Sequence, residues 1–189
     1  MSGSTESLRR KISGAEDLEG VVRSMKALAA SSIGQYEKAV QSLNEYYRTV
    51  ELGLAACLHQ ARPVPRARSG RSSQTGTIGA VVFGSDQGLV GRFNEAIVEF
   101  VTRTLKASPG KITKVWAIGE RAHSLLTDSG LKPAGLLSIP ISINAITPLV
   151  GQILIEIEAA QERGDVEKIY VFHNRPKPGA SYDLSLIHI

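Results

Sequence analysis

The sequence predicts an α/β protein in two parts: a long N-terminal coiled-coil helix, then a small Rossmann-like domain built on a parallel sheet. Three observations predict it. A hydrophobic repeat of 3.5 residues runs through the first 57 residues. A basic, proline- and glycine-rich break follows, and after residue 76 short apolar runs alternate with segments of helical spacing. The 189 residues exceed one domain of about 150 by roughly the length of that first segment. With 42% hydrophobic and 21% charged residues, the composition excludes a disordered chain. The single cysteine, Cys57, excludes an internal disulfide framework or a Cys-rich zinc site and suits a reducing compartment. A net charge of +4 permits a polyanionic partner without requiring one, and 5% aromatics leave too few stacking platforms for nucleic acid. Met1–Thr5 has neither the basic nor the apolar region of an export signal.

The helix is expected over residues 1–60, opening at Ser4 and Thr5, whose hydroxyls can accept from the first free N–H groups, with Glu6 at the positive end. A strict 4-3-4-3 spacing joins Leu8, Ile12, Ala15, Glu19, Val22, Lys26, Ala29, Ile33, Tyr36, Val40, Leu43, Tyr47, Val50, Leu54 and Cys57. Only Glu19 and Lys26 are charged, and polar groups in a seam fix register or partner at some cost in stability. Cys57 reads as a seam residue rather than a nucleophile. Residues 27–34 (Ala-Leu-Ala-Ala-Ser-Ser-Ile-Gly) are small almost all round, so another surface can approach closely or slide past; the alternative is simply a helix with a thin face. A seam of this length needs a partner helix. None follows in the chain, which places the partner in another chain or in a part of the protein outside this sequence, and leaves an isolated chain prone to associate.

Residues 61–76 carry proline, glycine, serine and four arginines and read as a solvated linker rather than a nucleic-acid patch. The α/β domain is expected over 77–183. Its strands are 77–83, 114–118, 136–139 and 168–173, and its helices are 93–107, 120–129 and 147–163. Ser108-Pro109-Gly110, Gly130 and Gly164 serve as helix stops, and Thr147-Pro148 as a helix start. This alternation predicts a mainly parallel sheet with right-handed crossovers. The uncharged stretch 133–155 is long enough to span a bilayer, but its prolines and polar residues favour a buried strand, a loop and a buried helix.

The first strand runs into Gly84-Ser85-Asp86-Gln87-Gly88-Leu89-Val90-Gly91, where nucleotide folds hold phosphate. The spacing matches neither fingerprint: no Lys-Ser or Lys-Thr completes a Walker motif, and the glycines read GxxxGxxG rather than GxGxxG. The loop therefore reads as a tight turn with close helix–strand packing, and Asp86 as the cap of that turn rather than a base. His59, His123, His173 and His188 lack metal-site spacing, and no nucleophile motif is present, so no catalytic residue, metal or cofactor is expected.

Two segments carry a family resemblance. Val22-Arg23-Ser24-Met25-Lys26-Ala27-Leu28-Ala29-Ala30-Ser31 resembles the N-terminal helix motif of F-type ATP synthase gamma subunits, K-A-M-K-M-V-A-A-S. Ser85-Asp86-Gln87-Gly88-Leu89-Val90-Gly91-Arg92-Phe93-Asn94 resembles that family's S-D-R-G-L-C-G-G-F-N. The order of parts agrees, and the resemblance covers residues 6 to 183. Gln87, Val90 and Arg92 depart from the usual arginine, cysteine and glycine, which marks a divergent branch such as the alternate ATPases some microbes carry. The family has a second long helix, antiparallel to the first, at its C-terminus. Its absence here reads as a truncation, and residues 184–189 read as a translated sequencing-adapter tail rather than native protein.

The resemblance implies a non-catalytic rotor subunit on the cytoplasmic face of the plasma membrane. It implies contacts with the alpha and beta subunits, the epsilon subunit and the c-ring, and none with nucleic acid. It assigns rotor contact to Met25, Lys26, Ala27, Ala29, Ala30 and Ser31, with Lys26 facing either a beta-subunit carboxylate or the second helix. It marks Ser85, Asp86, Gly88, Gly91, Phe93 and Asn94 as the foot-domain motif. Two rival readings stay open on the residues alone: a nucleotide-binding enzyme with a helical arm, and a coiled-coil scaffold.

Overall fold

The computed structural model describes residues 2–60, 76–179 and 181–189. The expected linker at 61–76 lies outside the described residues except for Gly76. The chain divides into two compact units, residues 1–65 and 66–189.

The first unit is one helix, α1 (Ser2–Gln60). Its 59 residues give a rod of about 90 Å at 1.5 Å per residue. It begins before Ser4, so Ser4 and Thr5 lie inside the first turns rather than capping them. The seam is laid bare: Leu8, Ile12, Val22, Ile33, Val40, Leu43, Tyr47 and Leu54 are each 45–64% exposed. Cys57, expected in a core, is exposed, because a seam residue is buried only by a partner. Glu19 is turned along its own helix to Arg23 (2.6 Å), and Arg10 pairs with Glu6 (2.8 Å). Both pairs are exposed and each adds only a few tenths of a kcal/mol, roughly.

The second unit is a five-stranded sheet of order β3-β2-β1-β4-β5. Its strands are β1 (Thr77–Phe83), β2 (Lys111–Ile118), β3 (Gly135–Leu137), β4 (Lys168–Lys177) and β5 (Ser181–His188), and its helices α2 (Phe93–Ala107), α3 (Glu120–Asp128) and α4 (Ile146–Glu162). The first four strands are mutually parallel, and β5 runs antiparallel to β4. Residues 184–188 lie within β5, and Ile189 pairs its backbone with Ile169. β2 starts three residues earlier than its apolar pattern indicates. A register shift between Ile78 and Gly79 sets Ile112 and Lys114 on consecutive partners and breaks the alternation there.

Alternation along β1 divides two cores. Ile78, Ala80 and Val82 pack with Ile97, Val101 and Leu105 of α2, Leu126 of α3 and Phe172 of β4. Val81 faces the other way, with Trp116, Ile118, Ile153, Ala160 and Ile169. Helices α2 and α3 thus cover one face of the sheet and α4 the other. Helix α4 follows a 3-10 turn at Ile143–Ala145, so its cap is Ala145 and not Thr147. Pro148 is then its third residue, where the backbone N–H is free of the helix ladder anyway. The expectation of a buried helix here is not met: α4 buries only Ile153 and Ala160.

At the amino ends of the strands, Asp165 Oδ2 meets both Lys114 Nζ and Arg163 Nε at 3.1 Å. Hydrogen bonds from Lys114 and then Arg163 hold its carboxyl below the ordinary Asp value of 3.8. A carboxyl whose folded-state pKa is lowered stabilises the fold above its unfolded pKa and loses that contribution as pH falls through the folded one. Asp165→Asn is accordingly expected to lower the urea midpoint at neutral pH and to converge on the parent protein as the pH falls well below the ordinary Asp value of 3.8. Fluorescence of Trp116, the chain's one tryptophan, reports this unit alone. A constant gap between the two proteins across the acid range contradicts the assignment.

Candidate functional site

The carboxyl ends of β1, β2 and β3 meet the loop 84–92, next to the point where strand order reverses between β1 and β4. Open α/β sheets bind ligands at such a point. Here the protein's own groups fill it. Ser85 N–H donates to Asn94 Oδ1 (2.8 Å), Asn94 Nδ2 donates to Ser85 Oγ (2.7 Å), and Ser85 Oγ donates to Gln87 O (2.7 Å). Asn94, only 1% exposed on the first turn of α2, thereby ties that helix to the loop, which matters because α2 has no side-chain cap.

Asp86 reaches further. Its Oδ1 accepts from Glu120 N–H (3.0 Å) at the start of α3, and its Oδ2 from Ile139 N–H (3.2 Å) beyond β3. It was expected to cap its own turn; Ser85 does that, while Asp86 joins two segments 34 and 53 residues away. A carboxylate on a helix N-terminus stands where a phosphate would. Two glycines permit this packing. Gly119 has φ +105°, and a Cβ there would meet the Ser85 backbone at 2.6–2.9 Å. A Cβ on Gly84 would lie 2.3 Å from that of Ala122 and 2.8 Å from Asn94 Oδ1.

Arg121 completes the arrangement, donating its N–H to Ser85 O (3.0 Å) and its guanidinium to Glu95 Oε1 (3.2 Å). The Glu95 carboxyl is held below its ordinary value of 4.5, first by its own backbone N–H and, against some desolvation, by Arg121. Both helix N-termini at this end thus carry carboxylates, Glu95 on α2 and Asp86 with Glu120 on α3, which disfavours a nucleotide phosphate. Neither Arg121 nor Gly119 carries a local signal for these contacts, because their partners, Ser85 and Glu95, lie 26 or more residues away.

Of the motif residues, Ser85 and Asn94 bond each other, while Asp86 bonds the backbone of Glu120 and Ile139. Phe93 packs edge-on against Tyr182 at 5.3 Å. Gly88 and Gly91 sit at an open loop tip, where Leu89 adopts φ +59° and is 71% exposed. The second group of candidates lies apart, on α1: Lys26, Ala27, Ala29, Ala30 and Ser31 are exposed and Met25 half-buried. Ser31 and Ser32 both turn their hydroxyls back onto Leu28 O (2.8 and 3.1 Å), which satisfies them within the helix and leaves the surface smooth. Among the described residues no group of three or more His, Cys, Asp or Glu is placed to hold a metal.

A family model described as ATP synthase matches residues 4–189. The ATP synthase gamma chain of Polynucleobacter asymbioticus is 26% identical over 178 residues, covering 91% of this chain and 60% of the relative. That of Polaromonas naphthalenivorans is 25% identical over 170 residues, covering 89% and 58%. The chain thus spans less than two thirds of the length of these relatives. Among solved structures, the rotor of the Euglena gracilis mitochondrial ATP synthase in rotational state 1 includes a chain with the same fold, with a TM-score of 0.65 at 13% identity, covering 100% of this chain and 63% of that one.

Asn94→Ala leaves the half-buried Ser85 N–H without its acceptor and takes one of two bonds from the Ser85 hydroxyl, so it is expected to cost about 1–3 kcal/mol in urea unfolding followed by Trp116. Asp86→Ala, at a partly exposed site, should cost about 1–2 kcal/mol. An Asn94→Ala protein as stable as the parent contradicts the latch.

Proposed function

Because the chain belongs to the ATP synthase family, and the relatives it matches are ATP synthase gamma chains, we propose that it acts as the gamma subunit, the central rotor stalk, of an F-type ATP synthase. In this reading it couples ion-driven rotation to ATP synthesis or hydrolysis at sites on the alpha and beta subunits and catalyses nothing itself. It sits peripherally on the cytoplasmic face of the plasma membrane, with α1 inside the ring of alpha and beta subunits. The α/β unit faces epsilon and the c-ring.

The observation that carries this reading is α1, a 59-residue rod with a bare 3.5-residue seam. A shaft works by differential contact. Its faces differ, so each catalytic site it meets is biased toward a different nucleotide affinity, and a shaft that touched every site alike would shift none. Residues 25–31 suit the bearing. Ala27, Ala29 and Ala30 offer little to catch, Ser31 is satisfied internally, and the Met25 thioether adapts to changing neighbours. The Lys26 charge meets either a carboxylate of the surrounding ring or the helix that closes the seam. The rival reading as a nucleotide enzyme loses its main support, since Asp86 occupies the position a phosphate would take.

In the assembled enzyme, Met25→Lys and Ala29→Trp are each expected to lower ion-driven ATP synthesis by about tenfold, with nucleotide affinity at the catalytic sites nearly unchanged. Synthesis at parental rates in both variants removes the bearing assignment.

A further inference from the structure

The outer side of α4 is not accounted for by the shaft. Of its 17 residues only Ile153 and Ala160 are buried. Val150, Leu154 and Ile155 are 46%, 51% and 67% exposed, and Leu136 on the adjoining edge strand β3 is 43% exposed. Val150 and Leu154 are four residues apart and form one stripe along the helix. Gly151 lies beside them with nothing within 4 Å of where a Cβ would stand. A mid-helix glycine costs roughly 1 kcal/mol relative to alanine, and on an outer face it lets a second backbone approach closely. Between α4 and β3 runs a groove of about 630 Å³ lined by uncharged residues, Leu136, Pro148, Leu149 and Gln152 among them.

Charge decides what fits. From residue 133 to 162 the chain, net +4 overall, has no lysine or arginine and three glutamates, Glu156, Glu158 and Glu162. All three are exposed on α4. The charged side chains on α4 itself are all carboxylates, and Arg163 at its C-cap is paired with Asp165, so this face is disfavoured on an anionic lipid surface, although α4 with its preceding turn has the length and composition to cross a membrane. A second copy of α4 brings the same three glutamates, and the adjoining Arg163 is already paired with Asp165. We propose that this face docks a basic amphipathic helix of another subunit. Apolar residues of that helix, three or four apart, lie on Val150 and Leu154 across Gly151, and its Lys or Arg side chains reach Glu158 and Glu162. This rests on the reading of the chain as one subunit of a larger complex.

The test places the photo-cross-linker p-benzoylphenylalanine at Leu154 in the full chain, in cells that assemble the complex. A control carries it at exposed Asp128 on α3, across the sheet. Complexes are isolated through an alpha-subunit tag, irradiated, and the joined peptides mapped. The expected result is a cross-link from position 154 to a Lys/Arg-bearing helical segment of another subunit, absent from position 128. Glu158→Lys with Glu162→Lys should cut its yield about fivefold, and Glu158→Gln with Glu162→Gln should cut it less. A cross-link to lipid, to a second copy or to an acidic segment overturns the proposal, as does none at all in complexes that contain the chain with alpha and beta. A chain that never co-purifies with alpha and beta overturns the gamma reading instead. The docking proposal is then judged by the same cross-link, recovered through a tag on the chain itself.

Discussion

An apolar seam that runs the length of a helix is a demand for a partner, and α1 presents that demand over fifteen consecutive seam positions. Helix propensity alone supports a solitary rod of this length poorly. Residues 14, 20, 34 and 53 are glycine, each costing about 1 kcal/mol in a helix interior, and the ion pairs Arg10–Glu6 and Arg23–Glu19 are exposed and weak. What makes such a rod worth having is the set of surfaces it offers. In the proposed role the seam takes a partner helix, and the smooth stretch at 25–31 takes a surface that must not hold too tightly. The proposed role as a shaft joins these two properties, since a shaft needs stiffness from one face and tolerance of sliding on another.

The α/β unit answers a different requirement. Its sheet has the topology of a nucleotide-binding domain, yet the end where a ligand would sit is closed by Ser85, Asp86 and Asn94 and by the tight approach of Gly84 and Gly119. These contacts bind β1, α2, α3 and the segment after β3 into one body. In the proposed role, a foot that passes rotation to a shaft gains from that stiffness and has no need of a pocket. The polar residues shared with the gamma motif, Ser85, Asp86 and Asn94, each meet a backbone or side-chain partner inside the domain.

How far the sequence could be read depended on how local each signal was. The 3.5-residue spacing is local and repeated, so α1 was legible, and so were β1 and α2, whose ends are marked by Gly84 and by Ser108-Pro109-Gly110. The start of β2 was hidden by a bulge, which shifts alternation by one. The partners of Asp86 were out of reach because they lie 34 and 53 residues away, and an acidic residue beside a glycine turn looks the same whether it caps that turn or another helix. The burial of α4 was misjudged for a related reason: apolar composition tells how much surface wants covering, not which part of it this chain covers. The same holds for Cys57, placed on the seam correctly but exposed because the seam has nothing against it.

Amide hydrogen exchange of residues 8–57, compared between the chain alone and the chain assembled with alpha and beta subunits, tests the central claim most directly. If α1 is a seam awaiting partners, these amides exchange rapidly in the chain alone, and assembly slows them by about a hundredfold or more. Equal protection in both states would mean that α1 is stable without a partner, and would contradict the account.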